Sequence, residues 1–233
     1  MLLYYIRHGD PIYNPDSLTP QGEQQAEALS KRLALCDFDK IYVSTSNRAY
    51  LTAKPTLEKL GREPVRLDWL NENHAWEYFS ADGMWAFQSD YYRKLFNSNE
   101  IRALGHNWHK SGKLSDTHFA EGVRHMRRDV FGLMAEQGYV HSDEENCYLS
   151  EGGNDKKIAV FAHQGIGMAF LSTLLDIPYP MFCTHFDLSH SSMTVIEFSP
   201  EQKSVIPVVL QLSNDSHIYR EGLSRKYNNM IEI

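Results

Sequence analysis

The sequence predicts an α/β fold, a three-layer sandwich with a mainly parallel central sheet and helices on both faces. Short apolar segments of strand length alternate along the chain with segments of helical periodicity. Residues 2–6 and 157–162 are almost continuously apolar, which is typical of parallel strands that are buried on both faces. The 233 residues are enough to bury a substantial core. We therefore expect residues 1–233 to form a single domain.

The first third of the chain contains the clearest elements. The apolar segment at residues 2–6 predicts a strand that stops at a polar turn. Thr19 and Pro20 match the N-cap and the first position of a helix. A strand at residues 40–43 comes next. Ser44-Thr45-Ser46 can cap a helix that runs to about Leu60 and ends at Gly61, and a short strand follows at residues 65–67.

The composition changes between about residues 71 and 117, where Trp76, Trp85 and Trp108 accompany several tyrosines. We interpret this stretch as a largely helical, aromatic insertion that lies over one face of the sheet. The remaining predicted elements are an amphipathic helix at residues 119–137, a strand at residues 157–162, a helix ending near residue 175, and two late strands at residues 193–198 and 205–212 that are joined at Ser199 and Pro200.

Composition and charge limit the classes of partner. The formal net charge of −7 argues against general binding to nucleic acids or anionic membranes, because both require a basic surface. The three cysteines are widely spaced and match no metal-binding pattern, so we expect reduced thiols. The apolar N-terminal run is too short for a signal peptide, and no stretch has the length of a membrane span. These features predict a cytoplasmic protein, for which a homodimer is a candidate assembly.

Phosphate-binding side chains follow three of the predicted strands. Arg7 and His8 come directly after the first strand, Arg48 follows the strand at residues 40–43, and His163 follows the strand at residues 157–162. Ligands of open α/β sheets gather outside the carboxyl ends of the strands, where helix N-termini add N–H donors. The sequence therefore predicts an anion pocket at this edge.

Four short motifs occur in a fixed order along the chain. They are Arg7-His8-Gly9 continuing through Tyr13-Asn14 and Leu18-Thr19-Pro20-Gln21-Gly22, then Ser44-Thr45-Ser46-Asn47-Arg48-Ala49, then Leu70-Asn71-Glu72, and finally Ala162-His163-Gln164-Gly165. With these motifs the chain resembles the histidine phosphatase superfamily, in the branch that also contains cofactor-dependent phosphoglycerate mutases. The resemblance covers most of the chain outside the insertion.

The resemblance implies a role for each motif residue. His8 would attack phosphorus and form a phosphohistidine, for which it must be neutral, with its other ring nitrogen donating to a backbone carbonyl. Arg7 and Arg48 would bind the phosphoryl oxygens. His163, expected to be cationic beside a phosphate, would add a donor. Glu72 would protonate the leaving oxygen and then deprotonate the attacking water, which requires a raised pKa.

Several assignments stay open at this stage. Glu77 lies five residues after Glu72 and is the alternative general acid. Asn14 and Gln164 are expected either to bind the phosphate or to cap turns, and Trp76 is a candidate contact to the substrate. The other histidines, including residues 106, 109, 185 and 190, fit no zinc spacing, and we interpret them as scattered surface residues.

The resemblance leaves three functions to weigh. We expect a phosphomonoesterase that acts on a small phosphorylated metabolite and needs neither a metal nor another cofactor. A mutase is less favoured, because the chain departs from the pattern of the family's mutases at two points. Only Pro15, Asp16 and Ser17 separate Asn14 from Leu18, where those enzymes usually carry a longer stretch, and the glycine-rich turn that follows their acid is absent after Glu72. A catalytically silent protein that only binds a phosphorylated ligand is the third reading.

Overall fold

The computed structural model describes residues 1–199, 201 and 203–225. Its strands are, in chain order, β1 (Leu2–Arg7), β2 (Pro11–Ile12), β3 (Ser17–Leu18), β4 (Lys40–Ser44), β5 (Val65–Leu67), β6 (Ser80–Ala81), β7 (Met84–Trp85), β8 (Val140–Ser142), β9 (Cys147–Leu149), β10 (Lys157–Ala162), β11 (Met193–Glu197), β12 (Ser204–Val205) and β13 (Val208–Asn214).

The α-helices are, in the same order, α1 (Pro20–Leu33), α2 (Asn47–Leu60), α3 (Glu72–Phe79), α4 (Asp90–Phe96), α5 (Asn99–Leu104), α6 (Phe119–Glu136), α7 (Gln164–Leu174), α8 (Tyr179–His185) and α9 (Ser216–Arg220). Short 3₁₀ turns lie at Asp68–Leu70, Gly105–Lys110 and Gly112–Leu114. The two predicted serine and threonine caps are present, because the side chain of Thr19 accepts from the N–H of Gly22 and that of Ser46 accepts from the N–H of Ala49.

The central sheet has the strand order β13-β11-β1-β10-β4-β5. Strands β1, β10, β4 and β5 run parallel to one another, whereas β11 and β13 are antiparallel to their neighbours. The register pairs Arg7 of β1 with Ala162 of β10. Two neighbouring parallel strands therefore end at the same level, and the residues that follow them, His8 and His163, emerge side by side.

Helices cover both faces of this sheet, as the three-layer prediction requires. Leu3 and Tyr5 point into a core cluster that includes residues of α3, α6 and α7, whereas Tyr4 and Ile6 point into a second cluster with α1 and α2. Because successive side chains of a strand alternate between faces, burial on both sides explains the continuous apolar segment of β1. The predicted α/β class is confirmed, while the domain limits remain a prediction.

The insertion at residues 71–117 is largely helical and packs on one face only. Its buried side chains belong to the core cluster that contains α6 and α7, and Trp108 is 2% exposed there. A small β6–β7 hairpin interrupts the helices and carries Trp85. Within the described residues, no helix combines the length and the apolar character needed to cross a bilayer. The cysteines are free thiols.

The late strands differ from the prediction. The expected strand at residues 205–212 is divided at Pro207 into β12 and β13, because proline has no N–H for a ladder hydrogen bond. Strand β12 joins β8 and β9 in a separate three-stranded sheet, which was not among the predicted elements. The predicted junction falls partly on Pro200, which lies outside the described residues.

Candidate active site

The carboxyl edge of the sheet brings most of the predicted site residues together. The rings of His8 and His163 lie 5.1 Å apart between centroids and meet at an interplanar angle of 61°. Arg7, His8, Arg48, Glu72, Trp76 and Gln164 line one cavity of about 420 Å³. Asn14 is not among its lining residues and lies exposed in the loop between β2 and β3. The side chains predicted from the strand ends therefore lie at one edge of the sheet, while their binding of an anion remains a prediction.

His8 has a defined tautomer in this arrangement. Its Nδ1 lies 2.7 Å from the carbonyl oxygen of Gly9. Because a carbonyl only accepts, Nδ1 must carry the proton, and Nε2 is left with a free lone pair. Burial, with help from the nearby cationic groups, lowers the pKa of His8 well below its ordinary value. A neutral imidazole with one available nitrogen is the form that can act as a nucleophile.

Arg7 is held from the side of β11. Its Nη1 donates to the carbonyl of Leu188, and its Nη2 lies 2.6 Å from Nε2 of His190. A guanidinium can only donate, so Nε2 of His190 accepts and its Nδ1 is protonated, 3.6 Å from a carboxylate oxygen of Asp10. Burial and the charge of Arg7 lower the pKa of His190 to about 2, which keeps this ring neutral.

His190 corrects the interpretation of the remaining histidines as surface residues. Its side chain is only 12% exposed, and its ring lies 5.7 Å from that of His8. A signal for this position exists in the topology, because β11 runs antiparallel to β1 and starts opposite Ile6. Residues just before β11 therefore lie at the same edge as residues just after β1. A rule that considers only the carboxyl ends of parallel strands does not predict this position. His185, by contrast, is exposed as expected.

Arg48 occupies the opposite side of the cavity, in the first turn of α2. Its Nη1 forms a 2.7 Å ion pair with Asp16, and its guanidinium lies over the ring of Tyr13 at 5.4 Å. Asp16 also accepts from the backbone N–H of Asn47 at 2.7 Å. The loop between β2 and β3 thus fixes both the start of α2 and the direction of its arginine.

His163 is fully buried and is held by two serines of the second motif. Its Nε2 lies 2.8 Å from the hydroxyl of Ser44 and 3.3 Å from that of Ser46. Burial, together with Arg48 and Arg7, lowers the pKa of His163 well below its ordinary value. The expected cationic state is therefore not favoured here, since two guanidinium groups already supply positive charge and water is excluded.

Glu72, and not Glu77, belongs to the cavity. Its Oε1 accepts from the N–H of Ile166 at 3.0 Å, and its Oε2 lies 3.7 Å from Nδ1 of His163. Burial raises the pKa of Glu72 to about 7, against the opposing effects of that N–H and the two arginines. Glu77 is exposed on the outer side of α3 and is not among the lining residues. A carboxyl that gains and loses a proton near neutrality suits acid–base work.

Aromatic side chains form the outer wall of the cavity. Trp76 of α3 is 42% exposed, and its ring meets that of Trp85 edge to face at 5.0 Å. Gly165 allows this wall to approach α7, because a Cβ at that position would lie 2.4 Å from Trp85 and 2.5 Å from Glu72. The insertion therefore supplies both the carboxyl group and the aromatic wall of the site.

His8, Glu72 and His163 could also hold a metal ion. Each offers one ligand atom, and these atoms lie within 4.8 Å of one another. Two imidazoles and a carboxylate suit Zn²⁺. Since Nδ1 of His8 is engaged with Gly9, a metal would bind Nε2 and occupy the lone pair that makes this histidine nucleophilic. The expectation that no metal takes part thus remains a prediction.

This combination of fold and site defines an α/β protein whose two histidines and two arginines converge at the carboxyl edge of the sheet. Residues 3–111 match the model of the histidine phosphatase superfamily (branch 1). Over these residues the family model confirms the resemblance seen in the motifs. A comparison with curated proteins gives no sequence match.

Solved structures with the same fold extend the similarity over nearly the whole chain. A phosphoserine phosphatase from Entamoeba histolytica is 18% identical, with coverage of 93% of this chain and 98% of that chain and a TM-score of 0.58. A putative α-ribazole-5′-phosphate phosphatase from Escherichia coli is 21% identical, with coverage of 92% and 98% and a TM-score of 0.60. A mycobacterial glucosyl-3-phosphoglycerate phosphatase is 18% identical, with coverage of 91% and 98% and a TM-score of 0.57. At these identities the similarity shows the fold.

Proposed function

We propose that this protein is a phosphatase that hydrolyses a small phosphorylated metabolite through a phosphohistidine at His8, without a metal. The observation that carries the proposal is the hydrogen bond from Nδ1–H of His8 to the carbonyl of Gly9, 2.7 Å long. It leaves Nε2 unprotonated in a cavity that Arg7 and Arg48 also line. A free nucleophile beside two phosphate-binding guanidinium groups is suited to phosphoryl transfer.

In the first step, the lone pair on Nε2 of His8 attacks phosphorus and the bond from phosphorus to the ester oxygen breaks. The proton on Glu72 passes to that oxygen, so the product leaves as a neutral alcohol. Arg7 and Arg48 bind the phosphoryl oxygens, whose charge they stabilise throughout. The raised pKa of Glu72, about 7, means that a protonated carboxyl is available at neutral pH.

In the second step, water attacks the phosphohistidine. Glu72, now a carboxylate, takes one proton from the water as the new oxygen–phosphorus bond forms and the nitrogen–phosphorus bond breaks. Inorganic phosphate leaves, and both His8 and Glu72 return to their starting protonation states. His163 lies 3.7 Å from Glu72 and beside His8, where its Nδ1 can hydrogen-bond a bound phosphoryl group.

The known phosphatase structures with this fold support hydrolysis of small monoesters, because the named members act on phosphoserine, an α-ribazole phosphate and a glucosyl phosphoglycerate. A mutase has to retain a bisphosphate while it reorients. Within the described residues, the cavity beside exposed Trp76, with α3 starting directly at Glu72, has no enclosure of that kind. Hydrolysis is therefore the favoured reaction.

The test is turnover of p-nitrophenyl phosphate by the purified protein, with and without EDTA. We expect turnover that EDTA does not reduce, loss of at least about 10³-fold on His8→Ala, and acid-labile labelling of the chain on quenching with ³²P substrate. Activity retained by His8→Ala would exclude this residue as the nucleophile. Turnover confined to the interconversion of phosphoglycerates would identify a mutase, and binding of phosphate without turnover would identify a silent phosphate-binding protein.

A further inference from the structure

A second cavity adjoins the catalytic one. It has a volume of about 600 Å³ and lies between α4, the start of α7 and the end of α8. Gln88 and Gln164 line both cavities. A phosphate group bound at Arg7 and Arg48 would therefore have, beyond these two glutamines, a separate space large enough for the rest of a small substrate.

The two cavities differ in charge. Among the described residues that line the catalytic cavity, two carry a guanidinium group and one, Glu72, carries a carboxyl, whose pKa is raised to about 7. Two carboxylates, Asp90 and Asp187, line the second cavity. A ligand that spans both cavities would place its phosphate at the cationic end and the remainder at the acidic end.

Asp187 has hydrogen-bonding capacity left for a ligand. Its Oδ1 accepts from the side chain of Gln164 and from the N–H of Leu188. Its Oδ2 accepts no hydrogen bond from the part of the chain that the structure describes. Burial raises the pKa of this carboxyl despite these contacts and the nearby positive charge of Arg7, so the protein compensates its charge only in part.

Arg93 is the one guanidinium among the described lining residues of the second cavity, and two of its five N–H donors already bind the wall. Its Nη1 donates to the carbonyl of Phe87, and its Nη2 donates to the carbonyl of Thr184, both at 3.0 Å. The bond to Thr184 joins α4 to α8, and both bonds orient the side chain along the wall. A carboxylate on a ligand would therefore meet a guanidinium that already binds two backbone carbonyls, together with the two like charges of Asp90 and Asp187.

We propose that the leaving group of the substrate enters this second cavity and carries a positive charge, such as an ammonium group, which Asp187 and Asp90 recognise. The inference rests on the proposed phosphatase function and specifies the substrate class of the same site. It predicts discrimination against phosphate esters whose leaving group carries a carboxylate, since burying like charges together is costly.

The test uses three phosphate esters of equal length that differ only in the terminal group: 3-aminopropyl phosphate, 3-hydroxypropyl phosphate and 3-phosphooxypropanoate. We expect kcat/KM to follow that order, with about a tenfold or larger ratio between the amine and the carboxylate. Using the ratio cancels any effect of a variant on the phosphate site itself. Equal rates, or faster turnover of the carboxylate, would overturn the proposal.

Charge-removing variants locate the preference. Asp187→Asn and Asp90→Asn should each lower the amine-to-carboxylate ratio about three- to tenfold. Asp37→Asn removes the same charge at the opposite edge of the sheet, from a side chain that is 92% exposed, and should leave the ratio unchanged. A ratio that neither of the first two variants alters would contradict recognition by this cavity.

Turnover of p-nitrophenyl phosphate distinguishes a failure of the substrate preference from a failure of the phosphatase function. If it is hydrolysed while the three esters do not differ, the phosphatase function stands and the substrate preference is wrong. If neither it nor any of the three esters is hydrolysed, the proposed function fails and the preference that rests on it fails with it.

Discussion

Replacing Gly165 by alanine should displace the general acid without disturbing the nucleophile. The new Cβ would lie 2.5 Å from Oε1 of Glu72 and 2.4 Å from the ring of Trp85. Non-bonded carbon and oxygen atoms settle at about 3.5 Å, so these side chains must retreat by about 1 Å. The 3.0 Å hydrogen bond from Ile166 to Glu72 would then be lost.

The size of the effect depends on how much the leaving group needs a proton. A displacement of about 1 Å at a reacting group costs about 10²-fold in rate. We therefore expect Gly165→Ala to lower kcat/KM about 100-fold for an alkyl phosphate, whose alkoxide is a poor leaving group. p-Nitrophenolate departs without protonation, so the loss on p-nitrophenyl phosphate should not exceed about tenfold.

Steady-state kinetics on both substrates, together with thermal unfolding, provide the assay. Gly132→Ala is the matched control, because it makes the same change inside α6 at a position where a Cβ meets nothing within 4 Å. Alanine also favours a helix over glycine by up to about 1 kcal/mol, which offsets part of the packing cost in the Gly165 variant. Undiminished turnover of the alkyl phosphate, or equal losses on both substrates, would refute the reasoning.

Three further predictions concern protonation, positioning and metal inhibition. The pKa of Glu72 is raised to about 7, and its protonated form starts the reaction. We therefore expect kcat/KM to be high below pH 7 and to fall about tenfold per pH unit above it. A pH profile that is flat from pH 6 to 9 would contradict this role of Glu72. Because His190 accepts a hydrogen bond from Arg7, His190→Ala should raise the inhibition constant of vanadate about tenfold. His190→Gln keeps an acceptor and should raise this constant less than threefold. Equal effects of the two variants would exclude a role of His190 in positioning Arg7. Micromolar Zn²⁺ should inhibit competitively through His8 and Glu72, and EDTA should restore the rate; loss of activity on EDTA treatment alone would instead indicate a resident metal.

Much of the site could be predicted from the sequence because parallel strands present their carboxyl ends at one edge. Arg7, His8 and His163 follow apolar strands in the sequence, and the register of β1 with β10 brings them side by side. The N-cap at Ser46 placed Arg48 in the first turn of a helix at the same edge. These positions depend on local patterns and on one general rule of sheet topology.

Other site features depend on contacts between distant segments. The choice between Glu72 and Glu77 was open because both lie in one polar stretch, and only the packing of α3 against α7 turns Glu72 inward. Asn14 lies exposed beyond the cavity, although its motif matched. Asp187, which lines the second cavity, carried no sequence signal at all.

The amino-acid sequence by itself determined the layered α/β architecture and predicted the edge of the sheet at which Arg7, His8, Arg48 and His163 come together. Hydrophobic periodicity and helix capping are local, so they can be recognised from neighbouring residues alone. The tertiary structure alone decided the burial that raises the pKa of Glu72, the contact of His190 with Arg7, and the acidic cavity beside the cavity that His8 lines. Each of these depends on how chain segments far apart in sequence exclude water from one another, and that exclusion sets both charge states and hydrogen-bond partners.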